Sequence, residues 1–310
     1  MYNNLIMKNI INSHDLIKDL IDHNLTVDDK KMFNFYIKNF NFNTVIANYS
    51  DVFYDNPAKK HYDSDATSSH LINLYKFDHD LGNHILRYIL VIEKMLNTNV
   101  AYEIINQFHI MDKCLFKINE KYINQNILTN FKDVETHLSL KMFLHSLVKY
   151  CSTNTVTKKY YNGAGRDEIK KWENCPLDIM CLTWSFSTTF SLFIALNDSV
   201  RNRIINNFGL YPKHLFGFID FMKNILHIRN LISHNYVIFN ANVKYQSQSL
   251  NDIYEFIFSK KVDHISPFNL TEMIQHFAFN KTLVSNTMYY FKKMDIPSKF
   301  KEKIISELNK

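Results

Sequence analysis

The segment Leu81–Ile104, LGNHILRYILVIEKMLNTNVAYEI, places Leu81, Ile85, Ile89, Ile92, Leu96, Val100 and Ile104 at steps of three and four residues. That spacing puts all seven on one helical face and predicts a continuous helix to about His109. Thirty such residues would make a rod of roughly 45 Å, the spine of a helical bundle. The same periodicity dominates the rest of the chain, despite abundant Ile and Phe that locally favour strands. The fold expected is all-α.

Composition narrows the alternatives. A chain of 310 residues would ordinarily carry about 20 Gly and about 15 Pro; this one has 5 of each. Gly supplies the positive-φ turns of hairpins and phosphate loops, so sandwiches, propellers and Rossmann folds are disfavoured. Neither GxGxxG nor GxxxxGK[ST] occurs, and no cofactor is expected. The 15% aromatic content argues against disorder. Net charge is +6, which permits a polyanionic partner. Cys114, Cys151, Cys175 and Cys181 are widely spaced with no CxxC, as in a reduced cytoplasmic protein. Polar residues break every apolar run of MYNNLIMKNIINSHDL, so no leader is expected. Apolar stretches such as HILRYILVIEKML are short and charged, and no membrane span is expected.

Working outward, residues 1–63 read as a helical N-terminal region, with Ser13 and Thr26 as helix N-caps, ending in the polar stretch Asn56-Pro57-Ala58-Lys59-Lys60. Residues 64–245 read as the helical core. Within it, Ser152–Asn174 reads as an exposed loop, and Pro176 opens an apolar helix through Leu196. Asp198 caps a short helix closed by Gly209, and Pro212 starts a helix running to about His234. Residues 246–310 form a helical C-terminal extension that ends in a basic helix with Lys299, Lys301, Lys303 and Lys310.

One constellation carries chemistry: Arg229-Asn230-Leu231-Ile232-Ser233-His234, an R-N-x3-H at a helix end. With five Arg and 14 His the bare R-x4-H is expected about 0.2 times by chance, and the added Asn lowers this to about 0.03. Five helical positions turn the two side chains about 140° apart. They serve one cleft if two copies of the helix meet across a two-fold axis. A phosphodiester suits such a cleft, since Arg offers a planar fork to the non-bridging oxygens and His can move protons near neutrality. No metal is required. His79, Asp80 and His84 are too poorly aligned for a metal site. The Lys158–Arg166 loop mixes charge and rings as RNA-contacting loops do, a pattern shared with ordinary exposed loops.

The R-N-x3-H end resembles the signature of HEPN ribonucleases, and the flanking sequence resembles the Abi-like proteins of bacterial abortive infection (the AbiD/AbiF group). Leu71-Ile72-Asn73-Leu74-Tyr75-Lys76-Phe77-Asp78-His79-Asp80-Leu81 with Ile92-Glu93 is similar to that family's I-x-x-L-Y-x-F-D-x-x-L…I-E block. Pro176 sits where the family has its Pro-Ile-Trp segment, and Arg229-Asn230…His234…Asn240 is similar to its ending. Departures fall around this core: Met95-Leu96-Asn97-Thr98 where an Arg is usual, Leu182-Thr183 and Ser185-Phe186-Ser187 in place of a Glu and a Thr-Phe-Gly, and Val237 for a basic residue.

The resemblance implies a HEPN-type bundle acting in antiphage defence as a homodimeric, metal-independent endoribonuclease. In it Arg229 would hold phosphate, His234 would act as base or acid, and Asn230 would orient the pair. Glu93 would position Arg229. Lys158, Lys159, Tyr160, Arg166 and Asn240 are the candidate RNA contacts. The partner implied is RNA, as substrate or as a structured non-coding RNA. The diverged periphery motivates a second reading, a regulatory protein that holds such an RNA without cutting it. A helical adaptor without RNA is the third.

Overall fold

The computed structural model describes residues 13–133, 139–163, 166–239, 241–279 and 282–309. Its architecture is all-α. The helices are α1 (Ser13–Asp22), α2 (Lys30–Phe40), α3 (Ser68–Phe108), α4 (Glu120–Tyr122) and α5 (Leu140–Val148). Then follow α6 (Thr155–Lys158), α7 (Glu168–Lys171), α8 (Leu177–Met180), α9 (Phe186–Ala195) and α10 (Asp198–Asn207). The chain continues through α11 (Leu215–Ser233), α12 (Gln248–Phe258), α13 (Pro267–Phe277), α14 (Leu283–Lys293) and α15 (Ser298–Leu308). The apolar stripe of Leu81–Ile104 lies on α3, a helix of 41 residues whose Ile89, Ile92, Leu96, Val100 and Ile104 are fully buried.

Residues group into two compact units, each assembled from separated stretches: Met1–Arg87 with His227–Val243 and Ser266–Lys310, and Tyr88–Leu226 with Lys244–Ile265. In the first unit, Phe53 packs edge-on against Phe300 of α15 at 4.8 Å and Phe77 of α3 meets Phe291 of α14 at 5.4 Å. Basic residues of the C-terminal helix are used internally. Lys299 bridges Asp63 and Asp65 at 2.6 Å, Lys301 donates to the Lys292 carbonyl, and Lys303 donates to that of Tyr54.

In the second unit, the buried face of α3 meets a core that includes Phe186, Phe193, Phe218 and Phe221. Asn97, one of the departures from the family pattern, has its side chain satisfied inside this unit. Asn97 donates to the carbonyls of Cys181 and Trp184, and the buried Thr189 donates to Asn97. Gly217 of α11 lies so close to α12 that a Cβ there would sit 2.1 Å from the Ser249 carbonyl oxygen.

Local expectations are corrected in five places. Thr26 does not cap α2; Asp29 does, accepting from Met32 N–H, while Thr26 pairs with Thr67 in a short parallel bridge. Its neighbour Asp28 instead accepts from Ser68 and Ser69 at the start of α3; burial opposes its ionisation, but those hydrogen bonds prevail and bring it down to about 2. The polar stretch at Asn56–Lys60 is the turn of a hairpin, β1 (Tyr54–Asn56) against β2 (His61–Tyr62). The 152–174 loop contains α6 and α7 and buries Thr157 and Trp172. The Pro176–Leu196 helix is broken at Trp184, because the extended Ser185 turns its hydroxyl to cap α9 afresh. Finally, Asn197 rather than Asp198 is the cap of α10.

Candidate functional site

The site residues occupy the carboxyl end of α11. Pro212 begins a single 3₁₀ turn, and α11 then runs to Ser233. Its end is fixed by two reversed hydrogen bonds: Tyr236 N–H to the Leu231 carbonyl at 2.9 Å, and Asn235 N–H to that of Ile232 at 3.1 Å. This double closure requires a left-handed residue, and Asn235 adopts φ 54°. Asn is among the few residues that tolerate this conformation without glycine's freedom. His234 is thereby held in the last turn, its N–H bonded to the Asn230 carbonyl. Arg229 is half-buried, while Asn230 and His234 are exposed.

The chain beyond α11 is anchored to α3. Asp78 is buried, and its carboxylate accepts the N–H groups of Ile238 and Phe239 and the hydroxyl of Tyr49. The Phe239 ring lies over Tyr49 at 5.9 Å. A carboxylate removed from water persists only when its lone pairs are met, and four hydrogen-bond vectors meet them here. Burial still dominates its acidity, raising it to about 6 against the pull of Ile238, Tyr49 and Phe239. Asp78 therefore ties the L-Y-x-F-D block on α3 to the segment that follows R-N-x3-H. These two blocks, 150 residues apart in the chain, form one piece of structure.

The pattern of the family described as "Abi-like protein" matches residues 35–240, a span that contains both blocks. The chain belongs to the Abi-like family. Comparison with curated proteins and with solved structures returned no match. In this Abi-like protein the matched span begins in α2 and closes just after the Asp78 clasp, leaving α12–α15 beyond it.

The remaining candidates of this Abi-like chain fall as follows. Glu93 lies half-buried on α3 among the residues of the second unit, whereas Arg229, Asn230 and His234 belong to the first. Asn240 lies outside the described residues, as do Ala164, Gly165 and Lys310. Lys158, Lys159 and Arg166 are exposed on the second unit, Tyr160 is half-buried, and the Lys159 ammonium sits 5.2 Å from the Tyr160 ring centroid. His79 stacks on Tyr75 and His84 on Tyr290. Among the described residues no three His, Cys, Asp or Glu side chains gather as a metal site would require. The four cysteines are buried free thiols; burial pushes Cys175 and Cys181 up to about 12. Among the described residues no helix is long and apolar enough to cross a membrane.

Asp78 and Tyr49 were not among the sequence candidates. A signal for Asp78 was available: it sits in the apolar stripe Leu71, Leu74, Phe77, Leu81, where a lone carboxylate requires partners. Tyr49 carried no comparable mark.

Proposed function

We propose that this Abi-like protein is an abortive-infection factor of the cytoplasm, a metal-independent endoribonuclease of HEPN type. The observation that carries this reading is an exposed His234 and Asn230, with Arg229 one turn before, on a helix end clamped by the Asn235 closure and the Asp78 clasp. Fixed placement is what general acid–base catalysis needs, since proton transfer demands hydrogen-bond reach of the reacting oxygens. Arg229 would pair with the non-bridging oxygens of a phosphodiester. One His234 would take the proton of the ribose 2′-hydroxyl as that oxygen attacks phosphorus. The other, from a second copy, would return a proton to the departing 5′-oxygen, leaving a cyclic phosphate. Because Arg229 and His234 diverge by about 140° on one helix, a homodimer supplies the second pair. The exposed Lys158, Lys159 and Arg166 would add backbone contacts to the RNA.

Purified protein incubated with RNA in EDTA is expected to cleave it, and His234→Ala to abolish cleavage. Absent, metal-dependent or undiminished cleavage overturns the catalytic assignment. Asn97, which stands in the stretch where the resembled family usually has an Arg and is tied up in a hydrogen bond from Thr189, favours one further reading: a protein that holds a structured non-coding RNA intact. Co-purification of one uniform, unnicked RNA would select it.

A further inference from the structure

Beside the end of α11 the first unit displays a row of aromatic rings from three separate elements. On α2, Tyr36 stacks on Phe40 with centroids 5.4 Å apart. Phe40 lies 6.2 Å from Tyr75 on α3, and Tyr75 stacks on His79 at 6.3 Å with 21° between the planes. Tyr75 and His79 line a shallow surface crease, of about 20 Å³, together with Tyr236, whose ring in turn lies 6.4 Å edge-on to His234. Phe40 is 43% exposed and Tyr236 is 60% exposed.

Rings left in water on several elements at once mark a surface for a partner that presents flat apolar faces. A cation accompanies them, since Lys76 reaches over Tyr36 at 5.4 Å, and the exposed His234 stands at the other end beside Tyr236. Exposed rings with a lysine among them suit an unpaired polynucleotide, whose bases stack and whose phosphates meet the charge. A paired helix hides its base faces and could not use the rings.

We propose that this row is a stacking platform for unpaired nucleobases. On the RNA reading above, from which it takes its ligand, the exposed rings of Phe40, His79 and Tyr236 stack the bases of the strand whose phosphate lies at His234. The platform thereby makes the site selective for single-stranded over paired RNA.

The test uses the full chain and fluorescent 2′-O-methyl RNA of about a dozen nucleotides, which lacks the attacking hydroxyl, as a single strand and as a duplex. Anisotropy titrations are expected to show the single strand bound at least about tenfold more tightly than the duplex. Each lost stack is worth about tenfold, so Tyr236→Leu with His79→Leu should weaken single-strand binding about a hundredfold and leave duplex binding unmoved. Tyr236→Trp should retain it. Both side chains are exposed, so the fold should survive, which circular dichroism checks. Unchanged single-strand affinity in the double variant overturns the platform while leaving the RNA reading intact. If that variant instead loses a dimer in sedimentation at unchanged RNA affinity, the rings are a contact between copies and the proposal fails. A wild-type chain that binds neither RNA overturns both readings.

Discussion

The carboxylate of Asp78 accepts the backbone N–H of Ile238 at 3.0 Å across 160 residues of chain. Tyr49 and Phe239 donate to the same group. Asp78→Ala would strand three buried donors, each costing about 1–3 kcal/mol when left unmet. The expected loss, softened by entering water, is about 3 kcal/mol or more in urea denaturation at neutral pH. Asp78→Asn keeps one acceptor oxygen and should fall between. An unaltered midpoint in Asp78→Ala would show that the clasp does not hold this segment.

The same carboxylate predicts a pH dependence. Its folded value is raised to about 6 by burial, while an unfolded Asp titrates near 3.8. Below about 3.8 both states are protonated and the contribution to stability is fully present. It is lost as pH rises through about 6, a change of roughly 3 kcal/mol by neutrality. Wild type should therefore lose urea stability relative to Asp78→Asn between pH 4 and pH 7. A constant difference across that range would contradict the assignment.

Gly217 is expected to tolerate no side chain. The first added carbon would lie 2.1 Å from the Ser249 oxygen and 2.6 Å from its carbonyl carbon, both backbone atoms that cannot swing aside. Gly217→Ala would force α11 and α12 apart locally. We expect a loss of about 3 kcal/mol, at the upper end for overpacked sites, visible as a lowered melting temperature.

Asn235 separates backbone need from side-chain role. At φ 54°, glycine is the relaxed choice, so Asn235→Gly should hold stability within about 1 kcal/mol. A β-branched Val there should cost about 1–2 kcal/mol by disfavouring the left-handed cap. If cleavage follows stability across the pair, the helix end matters through geometry. If Asn235→Gly alone lowers cleavage, its carboxamide in the crease takes part.

The α3 stripe and, to within a turn, the extent of α11 were readable, because helical periodicity and the punctuation of Pro and Gly are local signals. The break at Trp184 was not. An apolar run reads as one helix whether or not a Ser within it is recruited to start another, and packing around Trp184, whose indole donates to the Leu147 carbonyl, made that choice. Thr26 had the chemistry of a cap but was drawn into pairing with Thr67, leaving Asp29 to begin α2.

By itself, the sequence determined the all-α class, the family, and the Arg229-Asn230-x3-His234 pattern at a helix end, since each is written in spacing along one stretch of chain. Only the tertiary structure decided that Asp78 would hold the amides of Ile238 and Phe239, and that Tyr75, His79 and Tyr236 would line one crease. It also decided that residues before 87, around 227–243 and after 266 would share a compact unit. The reason is that apolar burial is non-directional and indifferent to sequence distance. A buried carboxylate must find donors wherever the fold brings them.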